Sequence, residues 1–389
     1  MNFANPVSIE FGRGVLERLP DVLGPRGCVV VTTPGAVARE VLARVEQTCG
    51  SRIEAVLDDI APNPTPKAAT EAARGLSRVS ADVIVALGGG SSLDTAKAIA
   101  AQRHPDLDDE WLASHLAEGA AFPEGFSPAR VIAIPTTAGT GSEVTCWATL
   151  WDPKVRRKHS LAHPRLFPET ALVDPELTLS LPRELTVSCA LDALSHAMEA
   201  VWNKSSNPVS DALALRAIAT LPRALRDVLG DPGDVVARAS LQEASVLAGL
   251  ASSGTRTALA HSMSYALTLS LGLPHGLACG LTLPAVLDLN GSAYPDRARL
   301  IGEALCATSL DSAVKDLYAF FAEIGVPEML ARYLPSLDPL DPLDDLDDLE
   351  GDLVVPSRAG NNLVAVGEGE GRSLLEGAVR ELLAHRDGA

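Results

Sequence analysis

Apolar and polar positions change rhythm once along this chain. In the first half, the short β-branched runs GCVVVTT (27–33), ADVIVALGGG (81–90) and RVIAIPTTAGTGSE (130–143) end in turn residues, and helical spacing follows the first two over 35–49 and 92–103. Strand, turn and helix in alternation predict an α/β domain on a parallel sheet. After ETALVDPELTLSLP (169–182), long helical periods take over in PRELTVSCALDALSHAMEAVW, SDALALRAIATLPRALRDVL, DVVARASLQEASVLAGLAS and DSAVKDLYAFFAEIG. The change places a boundary near 182, with an α/β domain over 1–182 and an all-helical domain over 183–389. No internal repeat of solenoid length is visible.

Composition agrees with two buried cores. A length of 389 residues exceeds one ordinary core, and 47% hydrophobic against 21% charged residues describes a well-buried chain. No window approaches 18 uninterrupted apolar residues, so no membrane partner is expected. The start, MNFANPVSIEFGRG, has neither a basic nor an apolar leader region, and six cysteines lie scattered without CxxC spacing. Both features predict a cytoplasmic protein with reduced thiols and no cysteine metal site. The formal charge of −18 argues against a nucleic-acid partner, which needs a clustered basic surface. Part of that charge is local: SLDPLDPLDDLDDLEGD (336–352) holds eight acids and no base in a three-residue rhythm, and reads as a solvated insertion or an acidic docking tail.

Two loops and one set of side chains carry chemistry. ALGGGSSLDTAKAIA (86–100) runs from a strand through glycines into a helix, so Gly88, Gly89, Gly90 and Ser91 can bring bare backbone and helix-start N–H groups to a pyrophosphate. A tight turn explains a glycine cluster equally well, and this is not the GxGxxG fingerprint. A second small, hydroxyl-rich loop, PTTAGTGSEVT (135–145), follows another strand, and ligands of open α/β sheets bind at that edge. In CALDALSHAMEA (189–200), Asp192 and His196 are four residues apart on one helical face, and GLASSGTRTALAHSMSYALTLSLGLPHGLACGLTLP (249–284) adds His261 and His275. Each alone reads as a capped helix or a satisfied core histidine. Together, one carboxylate and three imidazoles make a site for iron(II) or zinc with positions left for a substrate.

The motifs GGGSSLDTAKAIA, AIPTTAGTGSEVT, LDALSHAMEA and H-x12-PHG, in that order over nearly the whole chain, resemble the iron-dependent (group III) alcohol dehydrogenase family. The resemblance implies a Rossmann-like dinucleotide-binding domain and an all-α metal domain in a dehydroquinate synthase-like architecture, with NAD(P) and metal meeting in a cleft. It implies Asp192, His196, His261 and His275 as metal ligands, Gly89, Gly90, Ser91 and Asp94 as the pyrophosphate loop, and Thr136, Thr137, Thr140 and Ser142 as the second cofactor loop. A homodimer acting on a small-molecule substrate is the expected setting.

Three positions depart from the family pattern. Where many members have a histidine four residues after the third ligand, this chain has Tyr265, which still faces the same side of the helix and can donate a hydrogen bond. Where many NAD-preferring members end a strand in a ribose-binding aspartate, this chain has Thr33, which allows NADP(H) as well as NAD(H), with Arg39 as a partner for a 2′-phosphate. Where the family has a small residue lining the substrate pocket, this chain has Arg256, whose planar fork suits a carboxylate or phosphonate, or equally an interhelical salt bridge. The segment SSGTRTALAHSMSYALT is similar to the branch that includes phosphonoacetaldehyde reductases. The implied reaction is metal-assisted hydride transfer to a small, anionic aldehyde. Oxidation of a hydroxyl group in a natural-product or peptide-modification pathway, and dehydroquinate synthase-like lyase chemistry, are the alternatives.

Overall fold

The computed structural model describes residues 3–334, 349 and 353–387; the acidic run 336–352, apart from Leu349, lies outside them. By contacts the chain divides into two compact units, Asn5–Ser180, and Leu181–Ala389 together with Met1–Ala4.

The first unit is built on a six-stranded sheet of β1 (Ser8–Phe11), β2 (Cys28–Val31), β3 (Ile53–Leu57), β4 (Val83–Gly88), β5 (Arg130–Pro135) and β8 (Thr170–Val173), in the order β1-β8-β5-β4-β2-β3. Every pairing in it is parallel. The central strands are apolar at every position because both faces are covered. Val83, Val85 and Leu87 of β4 pack with Leu16, Leu19 and Val45 on one face, while Ile84 and Ala86 pack with Leu93, Ala96 and Ile99 on the other. β6 (Trp147–Asp152) and β7 (Arg157–Ala162) form a separate antiparallel hairpin.

This order contains a switch point. From β2 the chain goes outward to β3, then returns to place β4 on the opposite side of β2. The segments after β2, β4 and β5 therefore leave the same carboxyl edge on adjacent strands, the place where open α/β sheets take ligands.

The strands read at 27–33, 81–90 and 130–143 are β2, β4 and β5, and the helix read at 92–103 is Gly90–Gln102. The helix read at 35–49 is two, Pro34–Ala38 and Val41–Cys49, interrupted where Glu40 takes a left-handed φ of 60°. β1, β3 and the hairpin had no counterpart in the hydropathy pattern. β1 and β3 are edge strands with half-exposed positions, so their apolar alternation is weak.

In the second unit, the helix Arg183–Val201 is buried on almost all sides, with Pro208–Gly230, Val235–Thr255 and His275–Leu281 packed against it. A helix enclosed in this way has no reason to carry charge, so Asp192, His196 and Glu199 are its anomaly. The flanking helices start at local caps: the Asn207 side chain accepts from Val209 and Ser210, and that of Asp234 from Val236 and Ala237. Among the described residues, no helix is long and apolar enough to cross a membrane.

Candidate metal centre and cofactor loops

Asp192, His196 and Glu199 follow one another at spacings of four and three, which aligns them along one stripe of the central helix. Facing them is the start of the helix Leu259–Leu271. Ala258, which precedes that helix, supplies no side-chain cap. The Glu199 carboxylate does the capping instead, accepting from the backbone N–H of Ala258 at 2.8 Å and of His261 at 3.1 Å. It also lies 2.7 Å from His261 Nδ1. With the Nδ1 proton donated to Glu199, the Nε2 lone pair is left to point the other way, the arrangement that prepares an imidazole for a cation.

His261 Nε2 faces Asp192 Oδ1 at 3.3 Å. Both atoms are buried and, apart from this mutual approach, neither has a well-formed hydrogen bond with a described residue. Two ligand atoms on one tetrahedral cation, at roughly 2.0–2.1 Å each, are about 3.4 Å apart. The donor chemistry and the spacing fit a divalent ion. His196 Nδ1 stands 3.8 Å from the same Asp192 oxygen, and its ring centre is 4.5 Å from that of His261. The ring of His275 lies 5.5 Å from His261 and 6.4 Å from Tyr265.

Charge in this pocket points the same way. Burial pushes the Asp192 carboxyl up, but the imidazoles of His196, His261 and His275 outweigh it and hold the group below its ordinary range. Burial likewise opposes ionised Glu199, and His261 with the two backbone donors overcomes it. For His261, burial works downward while Cys279, Glu199 and Asp192 raise it well above its usual value. Every one of these directions favours positive charge at the centre of the group.

Close helix packing holds the arrangement. Gly272, in a left-handed turn at φ 70°, ends Leu259–Leu271, and Pro274 starts the next helix with His275 as its first residue. A Cβ on Gly276 would strike the backbone carbonyl of Ser188 and come within 3.0 Å of the Asp192 Cβ. The absence of that atom lets His275 reach Asp192.

In the first unit, Gly89, Gly90 and Ser91 open the helix Gly90–Gln102, whose start has no side-chain cap. A Cβ on Gly89 would lie 3.1 Å from the Thr137 side chain, and one on Gly90 2.9 Å from Thr140. The loops after β4 and β5 are thus in mutual contact through bare backbone. Gly89, Gly90, Ser91, Thr137 and Thr140 stay partly exposed, whereas Gly88, Asp94, Thr136 and Ser142 are buried. Asp94 accepts from Ser142 Oγ at 2.5 Å and from the N–H of Thr149 at 2.8 Å. Lys97, fully buried, donates to the Ser142 carbonyl at 2.6 Å and to that of Trp147 at 2.9 Å. Asp94 and Ser142 are therefore engaged in fastening one loop to the other. The sequence signal for Lys97 is a lysine in an alanine-rich helix that follows a strand.

Glu143, next to this network, is also buried, and burial pushes its carboxyl up to about 7 against the pull of Lys97. Between the ordinary value of 4.5 and about 7 the folded chain keeps a proton that the unfolded chain releases, so stability should fall as pH rises through that window. Thermal melts of wild type and Glu143→Gln across the window check this. A slope that survives in the variant would assign it to another group.

Thr33 caps Pro34–Ala38, its hydroxyl accepting from the Ala36 N–H at 3.4 Å. The Arg39 guanidinium folds back to 3.1 Å from where a Cβ on Gly35 would be. Arg256 is exposed and holds φ 67°, ψ 173°, a region otherwise occupied by glycine. Its carbonyl accepts from Asn203 at 3.1 Å, and its guanidinium makes no ion pair with a described residue.

Known proteins match along most of the chain. Residues 6–175 match the family described as iron-containing alcohol dehydrogenase, and 186–334 its C-terminal part. A phosphonoacetaldehyde reductase of Streptomyces viridochromogenes is 40% identical over 280 residues, 71% of this chain and 69% of that one. Lactaldehyde reductase of Escherichia coli K12 is 31% identical over 339 residues, 82% and 86% of the two chains. Among solved structures, sulfoacetaldehyde reductase from Bifidobacterium kashiwanohense in complex with NAD+ superposes with a TM-score of 0.82 at 30% identity, covering 97% of this chain and 98% of that one. With its parallel dinucleotide-type sheet and its helical second unit, the chain belongs to the iron-containing alcohol dehydrogenase family and is an oxidoreductase of alcohols and aldehydes.

Proposed function

We propose that this chain reduces a small anionic aldehyde such as phosphonoacetaldehyde with NADPH or NADH, using a divalent cation, iron(II) or zinc, held by Asp192, His196, His261 and His275. In this reading residues 1–182 hold the dinucleotide and 183–389 the cation. The observation that carries it is the facing pair of buried atoms, Asp192 Oδ1 and His261 Nε2, 3.3 Å apart and otherwise without a well-formed hydrogen bond to a described residue, with Glu199 fixing the imidazole from behind.

When bound, a cation supplies Lewis-acid polarisation of a carbonyl oxygen and the nicotinamide supplies hydride. The chain's own residues do the rest. Asp192 and the three imidazoles fix where the carbonyl oxygen can sit, and Glu199 keeps His261 in the tautomer that leaves Nε2 available. The exposed backbone of Gly89, Gly90 and Ser91 offers N–H groups to a pyrophosphate, while Thr137 and Thr140 line the same loop with hydroxyls. Tyr265 carries a phenolic hydroxyl next to His275 and, with solvent, is a source for the proton that completes the alcohol.

Thr33 places no carboxylate where a 2′-phosphate would be repelled, and Arg39 folds back over the same short helix. NADPH is therefore accepted. Thr33→Asp keeps a capping oxygen and should move the NADPH-to-NADH ratio of kcat/KM towards NADH. An unchanged ratio would remove this position from cofactor choice.

For substrate charge, the support is Arg256, exposed, without an ion pair among the described residues, and held in a backbone conformation that costs about 1–3 kcal/mol in a non-glycine residue. Two similar proteins named for phosphonoacetaldehyde and sulfoacetaldehyde point to the same substrate class. Arg256→Ala should lower kcat/KM for phosphonoacetaldehyde by roughly tenfold to more than a hundredfold and leave butanal nearly unaffected. Arg256→Gly should show the same selective loss with equal or higher thermal stability, because glycine relaxes the backbone. Equal losses on both aldehydes, or a less stable glycine variant, would make Arg256 a structural residue.

A further inference from the structure

We propose that Cys279 is an additional ligand of the cation, giving the centre a sulfur donor beside Asp192, His261 and His275. The inference rests on the reading that these residues bind a divalent ion. Cys279 follows His275 by four residues and so shares its helical face. Its Sγ lies 3.7 Å from His275 Nε2 and 3.8 Å from Nδ1. One tetrahedral ion holding sulfur at about 2.3 Å and an imidazole nitrogen at about 2.0–2.1 Å separates those two atoms by roughly 3.6 Å. One ligand atom each from Asp192, His261, His275 and Cys279 lie within 4.8 Å of one another, all four residues being at least half-buried. A second observation comes from the other donors: Asp192 Oδ1 and His261 Nε2 are buried, face each other at 3.3 Å and otherwise make no well-formed hydrogen bond with a described residue.

The group that closes to 4.8 Å contains Cys279 and not His196. Sulfur therefore joins the donor set beside the imidazoles, and that addition has chemical content. A set with a thiolate is softer than one carboxylate with three imidazoles, so it favours zinc or cobalt(II) over iron(II). On coordination the metal–sulfur bond forms as the S–H bond breaks, and the proton passes to solvent with no change in oxidation state. Cys279 would then tune which metal the site retains from a mixture.

The test is to load the metal-free full chain with cobalt(II), measure bound cobalt, and record the absorption spectrum. The expected spectrum has a near-ultraviolet thiolate-to-cobalt band that Cys279→Ser loses while cobalt stays bound, and that Cys146→Ser retains. X-ray absorption at the zinc edge of the wild-type zinc form needs no variant and should show one sulfur at about 2.3 Å. Bound cobalt without the band, a band that persists in Cys279→Ser, or a zinc shell of nitrogen and oxygen only would overturn the proposal while leaving the metal site standing. A wild-type chain that binds neither ion would overturn both readings.

Discussion

Replacing His261 by alanine should leave a folded chain that holds almost no metal and turns over almost no aldehyde. The substitution removes Nε2 from the centre and leaves Asp192 Oδ1 facing empty space instead of a partner 3.3 Å away. The fold should persist because Glu199 keeps its two backbone donors, the N–H groups of Ala258 and of residue 261, and so still caps the helix Leu259–Leu271. Circular dichroism, elemental analysis and steady-state rates measured on one preparation separate these effects. A variant that binds metal like wild type and keeps full turnover would remove His261 from the site.

Gly276→Ala, which adds one methyl group beside His275 and removes no proposed ligand, should be nearly as damaging by a different route. The new Cβ would meet the Ser188 carbonyl, which belongs to the backbone of the central helix and cannot swing aside as a side chain can. The helix His275–Leu281 must move out, carrying His275 away from Asp192. We expect a loss of about 3 kcal/mol or more in stability, the upper range for overpacking, together with strongly weakened metal binding. Gly302→Ala, where a Cβ meets nothing within 4 Å, is the matched control and should do neither. Denaturant melts and zinc titration give both numbers, and a Gly276→Ala variant with wild-type values would show that the two helices are not in fixed contact.

What the sequence made legible follows from how local each signal is. The parallel sheet was readable because β2, β4 and β5 are buried on both faces and appear as unbroken apolar runs. β1 and β3 sit at the edges, half-exposed, and their composition does not separate them from loops. Asp192 and His196 stood out through their spacing. Glu199 completes the same stripe three residues on, but its work is to cap a helix some sixty residues away, and nothing in LDALSHAMEA names that partner. Cys279 is one of six cysteines scattered without CxxC spacing, a pattern that names no metal ligand. Only the turn from Gly272 through Pro274, and the bare backbone of Gly276, bring it to the group. Asp94 and Ser142 fell within recognisable loops, yet their engagement with each other and with Lys97 needed the fold to put residues about 45 positions apart side by side.

The most direct measurement of the central claim is phosphonoacetaldehyde reduction by NADPH as metal is withdrawn with a chelator and then restored. The account predicts that activity disappears with the ion and returns in proportion to bound zinc or iron, reaching its plateau at about one ion per chain, as expected of a single catalytic site. Undiminished reduction by the metal-free chain would contradict it.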